Sequence, residues 1–218
     1  LQEVLAQFPA GHKYHIPVLL AYHTGMRAGE FLGLEWQDVD LERKTVRVRQ
    51  QMRKDPLQLN FYFETPKTDT SSREFYIDSK LIAELKRWKA TQAAARMKLG
   101  EAYQFVYEDK DHVAFSLPCS EPCPKGATHK DLICTDRLGI FVKYQDLANA
   151  LHKLGLNAHS FRHTHTTELA AAGAVPTDIA ARLGHSDATM VNTVYAHDTD
   201  AMKRATAKIF EQRVVHGE

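Results

Sequence analysis

Several residues of this chain have the types and the spacing that chemistry on a phosphate requires. Arg162 follows His159 by three positions, so both side chains share one face of a predicted helix start, where a helix favours anions. His185 comes directly after a glycine at the end of a further predicted helix, and Tyr195 lies in the helix that follows. Far upstream, Arg27 supplies a second guanidinium. Two guanidiniums can bind one phosphate through paired N–H donors, and a phenol assisted by cations and a base can attack it.

Each of these segments, taken alone, also has a purely structural explanation. Arg27 and Glu30 stand three residues apart, which on an exposed helix makes an ion pair worth roughly a few tenths of a kcal/mol. His159 and His163 have the i,i+4 spacing of a zinc-binding helix, but the glutamate that serves as base in that motif is missing. A metal site is therefore not favoured, and the segments become specific only in combination.

Overall charge gives mild evidence against a nucleic-acid-binding protein, since the net charge is +1 and the isoelectric point is near 7.9. The charge is uneven, however, because basic residues crowd the stretch from 43 to 54. Such a cluster can bind phosphates even when the total is near zero, although a solvated strand face explains it equally well. The candidate DNA contacts are Arg43, Lys44, Arg47, Arg49 and His163.

Composition predicts an ordinary folded protein, with 44% hydrophobic and 25% charged residues in 218 positions. No apolar run is long enough to span a membrane, and the N-terminus has no signal-peptide pattern. Because the chain does not begin with Met, we expect a fragment that lacks N-terminal DNA-binding domains.

Cysteine usage indicates free thiols in a reducing compartment, because the count of three is odd. One set of residues could be interpreted as a zinc site, but its spacing matches no standard finger: Cys119, Cys123, His129 and Cys134.

Hydrophobic periodicity predicts an α+β fold that is mainly helical. The first half contains predicted helices at 14–24, ended by Gly25, and at 28–33, followed by a long helix at 79–98. Between them, period-two alternation predicts three strands that form one small antiparallel sheet, at 45–50, 60–65 and 73–78.

The second half is harder to interpret up to Gly139. Short strands are predicted at 103–107 and 132–134 within an otherwise loop-like region. Helices are then predicted at 142–154, 161–172, 177–183, 188–196 and 199–213. Ser160 and Ser186 are the predicted N-caps, and Gly173 is a predicted helix end.

Taken together, these segments resemble the tyrosine recombinases, the family of phage and conjugative-transposon integrases, and identify the chain as their catalytic domain. The resemblance covers nearly the whole chain. It is carried by Thr24-Gly25-Met26-Arg27 with Glu30, Leu34-Glu35-Trp36-Gln37-Asp38, Thr65-Pro66-Lys67-Thr68, His159-Ser160-Phe161-Arg162, Leu183-Gly184-His185-Ser186 and Tyr195.

The resemblance implies a site-specific recombinase in which Tyr195 attacks a DNA phosphate, forms a 3′-phosphotyrosyl link and releases a 5′-hydroxyl. No cofactor, metal or ATP is implied. Lys67 is the implied acid for the leaving oxygen, and His159 is the implied base for the tyrosine. The implied catalytic residues are Arg27, Lys67, His159, Arg162, His185 and Tyr195, with Glu30 supporting them.

The resemblance further implies double-stranded DNA attachment sites as the partner, a tetramer on DNA, an accessory directionality factor and no membrane. It implies a cytoplasmic protein, bacterial or phage-encoded. Residues 1–218 would form one catalytic domain, monomeric when isolated, with a C-terminal tail helix in 199–218. That tail would dock on a neighbouring protomer or on its own core.

Three other functions remain open on the sequence alone. A type IB topoisomerase-like enzyme would share the chemistry, a metal-dependent hydrolase would use the histidine cluster, and a non-catalytic regulator would keep only DNA binding.

Overall fold

A computed structural model describes residues 1–57, 60–65 and 72–184. Helices and antiparallel strands alternate irregularly along this part of the chain. The helices are α1 (Gln2–Gln7), α2 (His15–Thr24), α3 (Ala28–Leu32), α4 (Ser79–Leu99), α5 (Tyr144–His152), α6 (Ala158–Ala171) and α7 (Pro176–Leu183). The strands are β1 (Val39–Asp40), β2 (Thr45–Val48), β3 (Gln51–Lys54), β4 (Phe61–Glu64), β5 (Arg73–Tyr76), β6 (Gln104–Glu108), β7 (Val113–Pro118) and β8 (Thr128–Lys130).

Helix α2 runs through the centre of the main core and confirms the helix predicted at 14–24. Most of its residues are buried, and Leu20 has no exposed surface. Gly25 ends it in the left-handed conformation at φ 65°, which a glycine adopts without steric cost. The chain therefore turns sharply just before Arg27.

The predicted α+β class is confirmed, but the predicted strand pairing is wrong in one respect. β2 and β5 do pair, in a three-stranded sheet of order β1-β2-β5, whereas β4 pairs with β3 in a second sheet of order β3-β4-β7-β6-β8. The chain changes sheets at Arg49 and Gln50, whose side chains bind Asp38 and the carbonyl of Gly33 instead of continuing the ladder. Alternating residue types cannot reveal such a break, because both strands carry the same pattern.

The region from 101 to 135 contains more strand than the sequence predicts. The strand predicted at 103–107 is confirmed as β6, and β7 and β8 flank it. The strand predicted at 132–134 is wrong, because that segment is held by other contacts. Ile133 donates its N–H to the carbonyl of Leu34, and the indole of Trp88 donates to the carbonyl of Ile133.

The later helices agree with the prediction except at one cap. α6 begins three residues earlier than predicted, because Asn157 is its N-cap and its side chain accepts from the N–H of Ser160. Ser160 therefore lies in the first turn rather than at the cap. Gly173, at φ 84°, follows the helix end as predicted. The helices predicted at 188–196 and 199–213 and the Ser186 cap lie outside the described residues.

Apolar side chains form one large core and a smaller second cluster. The large core extends from α1 to the start of α6, and the small one packs α6 on α7 through Ala170, Ile179, Ala180 and Leu183. Within the described residues, no helix is both long and apolar enough to cross a membrane.

The cysteines of the proposed zinc set lie in different environments. Cys134 is fully buried and donates its S–H to the carbonyl of Phe31, and burial raises the pKa of its thiol. Cys123 is exposed, and Cys119 is partly exposed. No group of three metal-ligating side chains occurs in the part of the chain that the structure describes.

Candidate functional site

Arg162 joins the ends of two helices that are far apart in sequence. Its side chain projects from α6 and is almost fully buried, with 4% of the residue exposed. Nη1 donates to the carbonyl of Gly25 at 2.7 Å, and Nη2 donates to the carbonyl of Leu183 at 2.8 Å. Carbonyls at helix C-termini lack intrahelical partners, so they are natural acceptors for this guanidinium. The direction of Arg162 is thereby fixed.

A second arginine lies within electrostatic range of the first. Burial lowers the pKa of Arg162 to about 10, and the nearby positive charges of Arg27 and Arg73 lower it further while Glu30 raises it. With that pKa, Arg162 remains charged at neutral pH. Arg27 and Arg162 are therefore close enough for their charges to interact, and their predicted catalytic roles stay predictions.

Arg27 is the N-cap of α3 and interacts with Glu30 in two ways. Its backbone N–H donates to Oε2 of Glu30 at 2.7 Å, and its Nη1 donates to Oε1 at 3.1 Å. The predicted i,i+3 pair exists, but it is asymmetric, because the Arg27 side chain is 43% exposed and that of Glu30 only 4%. Glu30 holds the backbone of Arg27, while the side chain of Arg27 is partly exposed to solvent.

Glu30 also accepts a bidentate pair from a residue that sequence analysis missed. Nη1 and Nη2 of Arg73, on β5, each lie 3.0 Å from a different oxygen of Glu30. Burial alone would raise the pKa of Glu30, but the hydrogen bonds from Arg73 and Arg27 outweigh it and lower the pKa. The carboxylate stays ionised and neutralises part of the arginine cluster.

Two further missed residues extend the network towards α7. Arg182 donates from Nε to Nε2 of His165 at 3.1 Å and from Nη1 to the carbonyl of Tyr76 at 2.8 Å. His165 places Nδ1 3.0 Å from the carbonyl of Tyr22, and burial with the charge of Arg182 lowers its pKa to about 4. A neutral ring with a proton on Nδ1 satisfies both contacts. No local pattern distinguishes these residues from exposed arginines and histidines.

Two glycines, Gly25 and Gly184, allow the backbone of two turns to lie close to the side chains of this polar network. A Cβ on Gly25 would lie 2.7 Å from the ring of His165, and one on Gly184 would lie 2.8 Å from Nη1 of Arg73. Both have φ near 65–68°, where other residues are strained. The turns before Arg27 and before His185 thus pack directly on the polar network.

Of the other predicted catalytic residues, only His159 lies in the described part of the chain. His159 and His163 are exposed on α6, one turn before and one position after Arg162. Lys67, His185 and Tyr195 lie outside the described residues, so their predicted roles stay predictions. Guanidinium donors and one neutralised carboxylate make the described site suited to an anion rather than a cation.

Some side chains of the basic stretch at 43–54 are exposed, and others form hydrogen bonds or ion pairs within the fold. Val46 and Val48 are buried while Arg47 is exposed, so the predicted alternation of β2 is confirmed. Arg43 lies 4.0 Å from Glu74, and Lys44 donates to the hydroxyl of Ser79. Arg49 instead pairs with the buried carboxylates of Asp38 and Glu35, and the hydrogen bond to Asp38 raises its pKa.

Residues 1–202 match the phage integrase family. This chain belongs to the phage integrase family. It is 30% identical over 183 residues to the ICEBs1 integrase of Bacillus subtilis strain 168, covering 82% of this chain and 43% of the relative. It is 29% identical over 201 residues to a XerC-like tyrosine recombinase of Caldanaerobacter subterraneus, covering 86% and 46%. This integrase-family chain therefore spans about half the length of the curated relatives it matches.

Solved structures share the fold of this integrase-family chain. The Tn1549 transposon integrase, solved with transposon right end DNA, gives a TM-score of 0.67 at 21% identity, covering 95% of this chain and 63% of that one. The XerA recombinase gives 0.58 at 16% identity, covering 100% and 61%. These likenesses establish the fold.

Proposed function

We propose that this chain is the catalytic domain of a site-specific DNA recombinase that cleaves and rejoins DNA through Tyr195. The observation that supports it most is the docking of Arg162 on the carbonyl of Gly25. That contact brings a second guanidinium beside the turn that carries Arg27, as a site for one phosphate requires.

In the proposed reaction, Oη of Tyr195 attacks the scissile phosphorus. The bond from phosphorus to the 5′-oxygen breaks, a 3′-phosphotyrosyl link forms, and Lys67 donates a proton to the departing 5′-oxygen to give a 5′-hydroxyl. His159 accepts the phenolic proton, and His185 donates to a non-bridging oxygen. Attack by a 5′-hydroxyl of a partner strand reverses the step, so the link conserves the bond energy.

Arg27 and Arg162 stabilise the charge that develops on the non-bridging oxygens. Preorganised donors of this kind typically account for about 10² to 10³ in rate each. Arg162 meets the requirement for preorganisation because two carbonyls hold it before DNA arrives. Arg27 is exposed enough to reach a phosphate while Glu30 anchors its backbone.

The proposed partner is double-stranded DNA that carries attachment sites, consistent with the DNA-bound structure of the Tn1549 integrase. Four such domains would assemble on two sites, assisted by a directionality factor and by the tail at 199–218. The isolated domain would be monomeric.

The deciding experiment uses a nicked suicide substrate that traps the covalent adduct. Wild-type protein should give a protein–DNA adduct on a denaturing gel, and Tyr195→Phe should bind the same DNA without forming it. Tyr144→Phe, which changes an exposed tyrosine on α5, is the matched control and should behave as wild type. An adduct with Tyr195→Phe would refute the assignment.

The family match favours strand exchange over the topoisomerase alternative. Paired attachment sites should be recombined by the full-length protein, whereas relaxation of supercoiled plasmid without recombination would favour a topoisomerase. Adduct formation should also survive a chelator, which would exclude the metal-dependent hydrolase.

A further inference from the structure

We infer that Arg73 is a positioning residue that couples the turn of Arg27 to the turn that precedes His185, an inference that rests on the proposed recombinase function. Arg73 lies on β5, and its side chain is 7% exposed. Because it is buried, it acts on the phosphate through its neighbours rather than by contact.

The first connection runs through Glu30 to Arg27. The bidentate contact of Arg73 fixes both oxygens of Glu30, and the same oxygens accept from the backbone N–H and from Nη1 of Arg27. The position of Arg73 therefore determines, through this carboxylate, where the backbone N–H and the guanidinium of Arg27 lie. A guanidinium fork suits this geometry, and an ammonium cannot reproduce it.

The second connection runs to the end of α7. Nε of Arg73 donates to the carbonyl of Arg182 at 2.6 Å, in the last turn of the helix. Gly184 packs on the same guanidinium so closely that a Cβ would lie 2.8 Å from Nη1 and 3.1 Å from Cζ. Gly184 is the residue directly before His185, so one side chain determines where both turns lie.

The test compares Arg73→Lys with wild type in single-turnover cleavage of the nicked substrate at saturating DNA. The rate of adduct formation should fall by about 10²-fold, while the Kd for intact attachment-site DNA changes by less than about 3-fold. Arg87→Lys alters an exposed arginine on α4 that also pairs with a glutamate, Glu84, and should leave the rate unchanged.

A second pair of variants tests the contact with α7 without changing Arg73. Gly184→Ala and Gly155→Ala introduce the same backbone strain, at φ 68° and 69°, but only the former places a methyl group against Arg73. Gly184→Ala should slow adduct formation at least about 10-fold more than Gly155→Ala. In the double variant with Arg73→Lys the two losses should be less than additive, because they act on one contact.

The outcomes separate this inference from the function on which it rests. No adduct from wild type would overturn both. An adduct from wild type with an equal rate from Arg73→Lys, or a loss confined to DNA affinity, would overturn only the positioning role. If Arg73→Lys is unfolded at the assay temperature, equal rates for the two glycine variants would overturn it.

Discussion

At the scale of single residues, the site consists of two buried arginines, Arg73 and Arg162, one partly exposed arginine, Arg27, and the buried carboxylate of Glu30. Arg162 is satisfied by two helix-end carbonyls, whereas Arg73 and Arg27 share Glu30. Buried charges are tolerated only when they are paired and hydrogen-bonded, so each member depends on the others. The cluster therefore links the stability of the fold to the geometry of the proposed phosphate site.

Replacing Arg162 by Lys should keep the charge and lose the function. One ammonium cannot reach the carbonyls of Gly25 and Leu183 and also present a planar fork to phosphate. We expect adduct formation to fall by about 10²-fold or more, and the free energy of unfolding to fall by about 1–3 kcal/mol. Suicide-substrate cleavage and urea denaturation measure the two effects, and undiminished cleavage would contradict the paired-donor role.

His165 should make stability depend on pH. Its folded-state pKa of about 4 lies below the ordinary value of 6.5, so the unfolded chain takes up a proton first as the pH falls. The contribution is complete above about pH 6.5 and is lost between there and pH 4. From pH 7.5 to 5.0 the free energy of unfolding should fall by about 2 kcal/mol from this residue.

Urea denaturation of wild type and His165→Asn at both pH values checks this prediction. Asparagine keeps an N–H for the carbonyl of Tyr22 but does not titrate, so the variant should lose less stability on acidification. Equal losses would show that other groups account for the pH dependence.

At the scale of elements, the site depends on the close packing of α3 on β3. Gly29 and Gly33 bring the helix backbone against the strand, and a Cβ on Gly29 would lie 2.7 Å from the carbonyl oxygen of Met52. Because α3 carries Arg27 at its N-cap and Glu30 in its first turn, this packing contributes to the position of both residues.

Gly29→Ala should therefore be destabilising even though alanine is the better helix former. Helix propensity would favour the change by about 1 kcal/mol, but the clash with rigid backbone should cost about 1–3 kcal/mol and displace Arg27. Urea denaturation should show a net loss and the suicide substrate a slower cleavage. Ala94→Gly, on the exposed face of α4, measures how much helix propensity alone contributes to the free energy of unfolding. A Gly29→Ala variant more stable than wild type would refute the packing argument.

At the scale of the whole molecule, the proposed affinity for DNA would have to come from local rather than total charge, because the net charge is only +1. The structure divides the basic stretch into groups that face solvent and groups that support the fold. Arg47 is exposed on β2, while Arg49 is engaged by Asp38 and Glu35.

Arg47→Gln and Arg49→Gln should separate these roles. Loss of one phosphate contact at Arg47 should reduce the slope of log K against log salt by about 0.9 without changing stability. Arg49→Gln should leave that slope nearly unchanged and lower the free energy of unfolding, since buried Asp38 loses its paired cation while Glu35 keeps Lys130. Salt titrations of DNA binding, with urea denaturation of both variants, measure this, and an equal change of slope would refute the division.

Much of this molecule follows from local sequence rules. The helix ending at Gly25, the long helix α4, the alternation of β2 and the helices around Arg162 each depend on neighbours a few residues apart. The motifs around Arg27 and Arg162 were also sufficient to indicate the family.

Other features depend on contacts between distant segments, and no local pattern encodes them. The change of sheets at Arg49, the assignment of β4 to the second sheet and the burial of Arg73, Arg182 and His165 arise only when several elements pack together. An arginine or histidine has the same residue type whether it faces solvent or lies between helices. Its partners, and hence its charge state and role, are set by the three-dimensional arrangement, because burial and hydrogen bonding to remote carbonyls are properties of the packed chain.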